Sequence, residues 1–352
     1  TFHFLNFLIC KKARRLAFQI CLHWTTCLVQ AEAFPKCRTW MICFEIEERG
    51  SKLLIEEVEA MWTSSFDLHC HTTHSDGSLS VDELADEMAK QQVKVWSLTD
   101  HDTIAGWDEA KRAASERGIK FIPGVELTCD VELPWNREIL EANSRNRPPS
   151  SWHLLAYFPH EPLEDGLKRF EEWLSPLHED RVPRMLEMID KVNAFGMKID
   201  PVDVLSRAKG SVGRPHLAMA MVDAGHVESM NEAFEQWLGD GRPCNVERPK
   251  PSLAEATALV HAAGGITSLA HPRYYGVDYE TLIQHLKASN VDAIEAFHRS
   301  HSDDDRHRLW KLAEAYGLGV TVGSDFHSFN GGHRPGHMPV VINALPKLIS
   351  SA

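Results

Sequence analysis

The sequence predicts an α/β fold built from parallel βα units and interrupted by a block of helices. Two observations carry this. From Phe66 onward, short apolar runs alternate with amphipathic helices. Histidines and acids then recur at the carboxyl ends of those runs, the edge where parallel α/β folds gather ligands.

The elements follow in order. Phe66-Asp67-Leu68 reads as the end of a strand. Ser80 and Glu83 have the spacing of a capping box, and Val81, Leu84, Ala85 and Met88 recur at helical spacing. Val93 to Thr99 is a strand, Trp107 to Glu116 a helix that Gly118 can end, and Ile119 to Pro123 the start of another strand. Residues 132–151, with Pro134, Asn136, Asn143, Asn146, Pro148 and Pro149, read as a loop insertion. A strand resumes at Trp152 to Phe158. Residues 160–250 read as a helical insertion, with segments at Leu163 to Leu174, Val182 to Phe195, Pro201 to Arg207, His216 to Ala224 and Met230 to Leu238. The βα rhythm then returns. Leu253 to Ala263 is a helix, Ile266 to Ala270 a strand, and Tyr279 to Lys287 a helix. Asp292 to Ala296 is a strand, Asp303 to Tyr316 a helix, and Val320 to Gly323 the last strand.

Residues 1–60 do not share this pattern. They hold five of the eight cysteines but only two of the twenty histidines. They read as a poorly patterned extension upstream of a working protein that begins at Met61. A leader peptide is the alternative, with Lys11 to Arg15 as its basic part and Ala31-Glu32-Ala33 as its cleavage site, but Gln19, His23, Thr25 and Thr26 interrupt the apolar part. Beyond residue 60 only Cys70, Cys129 and Cys244 remain, which suggests a reducing compartment, the cytoplasm, and no disulfide framework. No apolar run approaches a membrane span.

The net charge is −13, from 37 basic and 50 acidic residues, which disfavours a protein that coats long nucleic acid. Twenty histidines beside fifty carboxylates invite a metal hypothesis. His69 and His71 follow the first strand, with Asp76 just beyond. Asp100-His101-Asp102 follow the second, and Glu126 the third. His153 opens the fourth, His271 follows Leu269-Ala270, and Asp325 and His327 follow the last. Each has a plainer alternative. His69-Cys70-His71 could be an edge feature, Asp76-Gly77 a turn, His153 a core histidine and Glu126 a cap. Asp100 and Asp102 could orient His101 by hydrogen bonds. These alternatives would have to hold independently at six strand ends. Imidazole and carboxylate without thiolate suit Zn²⁺, Mn²⁺ or Fe²⁺ better than Mg²⁺ or Ca²⁺. Nine side chains exceed what one ion needs, so two or three divalent ions are implied, and the residues leave Mn²⁺, Zn²⁺ and Fe²⁺ open. Clustered ions activate water and clamp the oxygens of a phosphoryl group.

The runs Phe66-Asp67-Leu68-His69-Cys70-His71-Thr72-Thr73-His74-Ser75-Asp76-Gly77, Leu98-Thr99-Asp100-His101-Asp102-Thr103, Pro123-Gly124-Val125-Glu126, Ala270-His271-Pro272 and Gly323-Ser324-Asp325-Phe326-His327 resemble, in order, the motifs of the PHP (polymerase and histidinol phosphatase) metallophosphoesterases. The resemblance spans about residues 64–340. It implies a distorted seven-stranded (β/α) barrel with a trinuclear site. It also makes His69, His71, Asp76, His101, Glu126, His153, His271, Asp325 and His327 the ligands, with Asp76, His101, Glu126 and Asp325 central to catalysis. Gly213-Arg214-Pro215-His216-Leu217-Ala218 within the helical insertion is similar to the branch of nucleoside 3′,5′-bisphosphate phosphatases and 5′→3′ exoribonucleases of short RNA. There Arg214 is expected to touch substrate phosphate, as a planar guanidinium suits. Pro215 equally fits the first turn of a helix, a structural role. His216 either faces the metals or caps a turn. Arg181 and Arg184 are either a second phosphate clamp or a solvated helix face.

The sequence thus predicts a metal-dependent phosphoesterase acting on a nucleotide or short oligonucleotide, with no protein partner evident. The rivals are a histidinol-phosphate phosphatase, which does not need the Arg-Pro-His insertion, and a non-catalytic metal-binding regulatory domain. His298, His301, Asp304 and Arg306 read as a charged helix entrance and are not assigned to metal.

Overall fold

The computed structural model describes residues 62–349 except 64, 144–148, 209–210, 240, 330–331, 337, 339, 342–344 and 347–348. The extension of residues 1–60, its leader-like features and the start at Met61 lie outside the described residues.

Seven strands form one sheet in chain order: β2 (Phe66–Asp67), β3 (Val95–Leu98), β4 (Lys120–Cys129), β5 (Trp152–Tyr157), β6 (Ile266–Leu269), β7 (Ala293–His298) and β8 (Gly319–Gly323). The ends meet. Leu68 N donates to Val322 O at 3.0 Å, His71 N donates to Phe326 O at 2.9 Å, and Cys70 bridges Phe326 in parallel. The sheet therefore closes almost fully into the barrel that the resemblance implied. A two-residue strand β1 (Trp62–Thr63) pairs outside it with β9 (Val340–Val341), a pairing too short to show in the sequence pattern.

Six of the seven strands run in one direction, as expected, but β5 runs antiparallel to both β4 and β6. This corrects the uniform βα reading. Reversing β5 brings its first residues, not its last, to the edge where the other strands end. That is why His153 lies at the start of its strand while the other candidates lie after theirs.

The helices obey local rules. In α1 (Val81–Lys90) Ser80 and Glu83 form the reciprocal capping box, and Val81, Leu84, Ala85 and Met88 are buried. They pack with Ala110, Ala113 and Ala114 of α2 (Trp107–Glu116) onto Trp96, Leu98, Cys70 and Phe326. Between β4 and β5, the stretch read as a loop contains the helix α3 (Arg137–Ala142), started by Asn136, whose side chain accepts from Glu138 N and Ile139 N.

Residues between β5 and β6 are helical where the sequence predicts it: α4 (Glu164–Glu179), α5 (Arg181–Ala194), α6 (Pro201–Arg207) and α7 (Arg214–Asp223). Asp200 caps α6 through Val202 N, and Pro201 occupies the first turn, where its missing N–H costs nothing. A short helical piece Met230–Glu232 runs into a π-helical segment Ala233–Leu238. These helices share their own core of Met185, Met188, Ile189, Leu217, Met221 and Leu238. The barrel resumes with α8 (Leu253–Ala262), α9 (Tyr279–Ala288) and α10 (Asp303–Tyr316). Among the described residues no helix is long and apolar enough to cross a membrane. Cys70, Cys129 and Cys244 are buried free thiols.

Candidate metal centre

The carboxyl edge of the barrel brings all nine predicted residues together. Glu126 sits at the middle, fully buried on β4. Its Oε2 lies 3.1 Å from His71 Nε2, 3.1 Å from His101 Nδ1 and 3.3 Å from His69 Nε2. Its Oε1 lies 2.8 Å from His153 Nδ1 and 3.2 Å from His271 Nε2. Asp325 Oδ1 is 3.4 Å from both His71 Nε2 and His327 Nδ1, and 3.5 Å from His69 Nε2. Asp76 Oδ1 is 3.3 Å from His327 Nε2 and 3.8 Å from His101 Nε2.

Backbone geometry aims these groups. Gly77 lets the loop after β2 fold back, because a Cβ there would lie 2.3 Å from His71 O. His271 and Asp325 adopt left-handed backbone, φ 28 and 48, as does Asp102 at φ 49. Each such residue costs roughly 1–3 kcal/mol, which the surrounding barrel must offset. Such strain concentrates where side chains are held for function.

The donor set fits divalent metal. His69 Nε2, His71 Nε2, His101 Nδ1, Asp76 Oδ1 and Glu126 Oε2 are buried, and the close approaches among them lack the geometry of hydrogen bonds. A folded protein seldom buries five such atoms at one spot without a partner. Three overlapping groups have their donor atoms within 4.8 Å of one another: His71, Asp76, His101 and His327; His69, His71 and Glu126; His101, Glu126 and His153. Glu126 belongs to two of these groups and His71 to two, as a shared centre for more than one ion requires.

The charges divide in a telling way. Burial opposes ionisation of Asp76, Glu126 and Asp325, but the imidazoles around them outweigh it and hold all three well below the usual carboxylate range. Burial would lower His69 and His71, yet neighbouring carboxylates win. Glu295, Glu126 and Asp325 raise His69 far above its ordinary value, and Asp325 and Glu126 raise His71 to about 10. At His101 burial prevails over Glu126 and Asp76 and brings it down to about 3. His271 likewise falls to about 4.

The neighbouring acids do not orient His101. Asp100 accepts from Thr72 N and Thr72 Oγ1, each at 2.7 Å, and from Ser75 Oγ, so it shapes the turn carrying His71 and Asp76. Asp102 Oδ2 receives Arg181 at 2.5 Å and Arg248 at 2.6 Å, and both carboxylate oxygens accept from Thr128. Asp102 therefore ties the helical insertion to the barrel beside His101.

The predicted substrate arginines occupy different places. Arg181 is held on Asp102, and Arg184 donates from Nε to Val246 O at 2.6 Å, so neither forms a solvated helix face and the two do not meet as one clamp. Arg214 heads α7, with Nη1 3.4 Å from Leu238 O and its guanidinium 6.0 Å from the centre of the Phe234 ring. The turn it starts abuts the centre: a Cβ on Gly213 would lie 3.8 Å from Asp76 Oδ2. His216 accepts Gly213 N–H at Nδ1, 3.0 Å away, and so caps that turn.

Sequence reasoning missed four residues at the site. Glu295 lies 3.0 Å from His69 Nδ1, His298 Nε2 lies 3.2 Å from Asp325 Oδ2, and Arg299 lies 3.4 Å from the same oxygen. Arg248 is the fourth, through Asp102. Glu295 carried a signal, as a single acid inside the apolar run Ala293 to Phe297. His298, expected from the sequence in a charged helix entrance, is instead fully buried at the end of β7.

A nearly closed βα barrel with a buried His–carboxylate cluster that could hold divalent metal at its carboxyl edge defines the class of metal-dependent hydrolases. The PHP domain family matches residues 67–199. A 5′-3′ exoribonuclease of Haemophilus influenzae is 35% identical over 270 residues, covering 75% of this chain and 90% of that protein. A 3′,5′-nucleoside bisphosphate phosphatase of Chromobacterium violaceum is 33% identical over 281 residues, covering 78% of this chain and 91% of that protein. A solved structure described as a metal-dependent phosphoesterase from Bifidobacterium adolescentis superposes with a TM-score of 0.66 at 28% identity, over 79% of this chain and 93% of that one. The chain belongs to the PHP domain family and is a hydrolase of phosphate ester bonds.

Proposed function

We propose that this protein hydrolyses nucleoside 3′,5′-bisphosphates and removes nucleotides from the 5′ end of short RNA, in the cytoplasm, with Mn²⁺ as its preferred ion and Zn²⁺ or Fe²⁺ as substitutes. The observation that carries the reading is the convergence of six buried or half-buried histidines on Glu126 and Asp325, with Asp76 beside three of them. The names of the relatives from Haemophilus influenzae and Chromobacterium violaceum support the substrate class.

His69, His71, Asp76, His101, Glu126, His153, His271, Asp325 and His327 would hold two or three ions. Bound there, divalent ions lower the pKa of water and neutralise phosphate oxygens. The protein's own residues do the rest. Glu126 and Asp325 lie within 3.5 Å of the Nε2 atoms of both His69 and His71. Arg214 opens α7 directly after Gly213, whose added Cβ would lie 3.8 Å from Asp76 Oδ2, and its planar guanidinium suits a phosphate oxygen. Water attacks phosphorus, the bond to the nucleoside or nucleotide hydroxyl breaks, and that oxygen takes the proton. The substrate offers two phosphates, one for the centre and one for the arginine. The net charge of −13 favours small substrates over long nucleic acid.

The test is product analysis with the full chain and Mn²⁺ on adenosine 3′,5′-bisphosphate, a 5′-phosphorylated RNA pentamer and histidinol phosphate. Turnover of either nucleotide substrate, lost in Asp325→Ala, supports the reading. Turnover of histidinol phosphate alone moves the protein to the biosynthetic rival, and silence on all three with metal bound favours the non-catalytic one.

A further inference from the structure

Strand β7 is bulged. Glu295 pairs with Thr321, but Phe297 pairs with Val322 and His298 with Gly323, so Ala296 is the extra residue. On a regular strand, residues three apart face opposite sides. The bulge sends Glu295 and His298 to the same side, and both end, fully buried, on members of the ligand cluster.

We propose that Glu295 and His298 are positioning residues for the metal centre: Glu295 orients His69 and the backbone of His271, and His298 orients Asp325. The proposal rests on the metal reading above and extends it to a supporting layer behind the ligands.

The hydrogen bonds give each its role. Glu295 Oε1 accepts from His69 Nδ1 at 3.0 Å, which keeps a proton on that nitrogen and leaves Nε2 as the atom facing Glu126 and Asp325. Its Oε2 accepts His271 N–H at 2.7 Å and so holds the left-handed backbone that aims the His271 ring. Gly323 makes room for this arrangement, since a Cβ there would lie 2.1 Å from His69 Cβ and 2.6 Å from Glu295 Oε1.

His298 is fixed from the other direction. Ser300 N–H donates to its Nδ1 at 3.1 Å, and the Ser300 hydroxyl lies 2.7 Å away. A backbone N–H can only donate, so Nδ1 carries the lone pair and Nε2 the proton. Nε2–H then donates to Asp325 Oδ2 at 3.2 Å. His298 is thereby a donor to a ligand and not a ligand itself. Partners of this kind set the tautomer and aim of metal-binding side chains.

The experiment measures Zn²⁺ and Mn²⁺ affinity of the chelator-stripped full chain by competition with a chromophoric chelator, without substrate. Ring ¹⁵N shifts of the histidines in the Zn²⁺ form report their tautomers. Glu295→Gln should bind metal roughly 10–100-fold more weakly and lose the single tautomer of His69. His298→Leu should weaken binding to a similar degree at unchanged stoichiometry. His298→Gln, whose amide can reach the position of Nε2, should recover most of the loss. Wild-type affinity in both Glu295→Gln and His298→Leu would overturn the proposal, as would one bound ion fewer at saturation in His298→Leu, which would make His298 a ligand. If the wild-type chain binds neither ion, the metal reading fails and takes this proposal with it; normal metal binding without phosphoesterase turnover overturns the function and leaves this test intact.

Discussion

His153 Nδ1 lies 2.8 Å from Glu126 Oε1, across the antiparallel pair β4–β5. His153 is in register with Thr128, two residues beyond Glu126 and on the same face of the sheet. The reversed strand is what places an imidazole from the start of β5 beside a carboxylate from the middle of β4. Replacing His153 with Ala should remove one donor from the group it forms with His101 and Glu126. The expected result is loss of about one ion per chain under mild chelation, with the metal-free protein unchanged in thermal stability. Full ion content, measured by elemental analysis, would remove His153 from the ligand set.

Asp102 is fully buried and holds Arg181 and Arg248 at once. Burial opposes its ionisation, but the two guanidinium groups outweigh this and keep it well below the usual carboxylate range. Asp102→Ala leaves two largely buried cations without their acceptor. Breaking such a cluster costs about 3–5 kcal/mol, which denaturant unfolding would register. A loss below about 1 kcal/mol would show that the insertion does not depend on this tie.

Arg214 stands on the first turn of α7, next to Gly213, where an added Cβ would lie 3.8 Å from Asp76 Oδ2. Arg214→Ala is predicted to lower kcat/KM on a nucleoside bisphosphate by the equivalent of about 2–3 kcal/mol, the scale of one lost charged hydrogen bond. Steady-state kinetics that match wild type would take Arg214 out of the site.

At the opposite edge of the barrel His261 Nε2 meets Asp292 Oδ2 at 2.8 Å. The bond to Asp292 raises His261 above its ordinary value. Burial opposes ionisation of Asp292, but the bond to His261 and Thr267 N–H outweigh it and lower Asp292. The raised histidine stabilises below its unfolded value, about pH 6.5, and that contribution fades as pH climbs through the folded value. The depressed aspartate stabilises above about pH 4 and loses its contribution as pH falls. The gap in unfolding free energy between wild type and His261→Gln should therefore peak between about pH 4 and 6.5 and narrow on both sides. Both side chains are about a third exposed, so solvent screening keeps the gap below about 1 kcal/mol. A gap that stays constant from acid to alkaline pH would contradict the pairing.

The candidate ligands were legible because they sit next to apolar runs whose ends can be read: His69 and His71 after Phe66 to Leu68, Asp325 and His327 after Val320 to Gly323. Local signals also placed the helices, since a cap such as Ser80 acts within a few residues. Strand direction was not legible at β5, because alternation of strands and helices is the same pattern whichever way one strand runs. Glu295 and His298 were missed for a related reason: an even period puts them on opposite faces, and only the bulge at Ala296 turns them together. The partners of Arg181 and Arg184 were out of reach because they depend on tertiary contacts with Asp102, Val246 and Asn245.

One buried cluster around Glu126 and Asp325 should hold the ions that drive phosphate ester hydrolysis. The direct measurement strips the full chain of metal, titrates Mn²⁺ back, and follows bound ion and phosphate release from adenosine 3′,5′-bisphosphate in the same samples. Turnover should be absent in the stripped protein, rise with the second or third ion bound, and stay absent in Asp325→Ala. Phosphate release that persists in the stripped protein, or survives in Asp325→Ala, would contradict it.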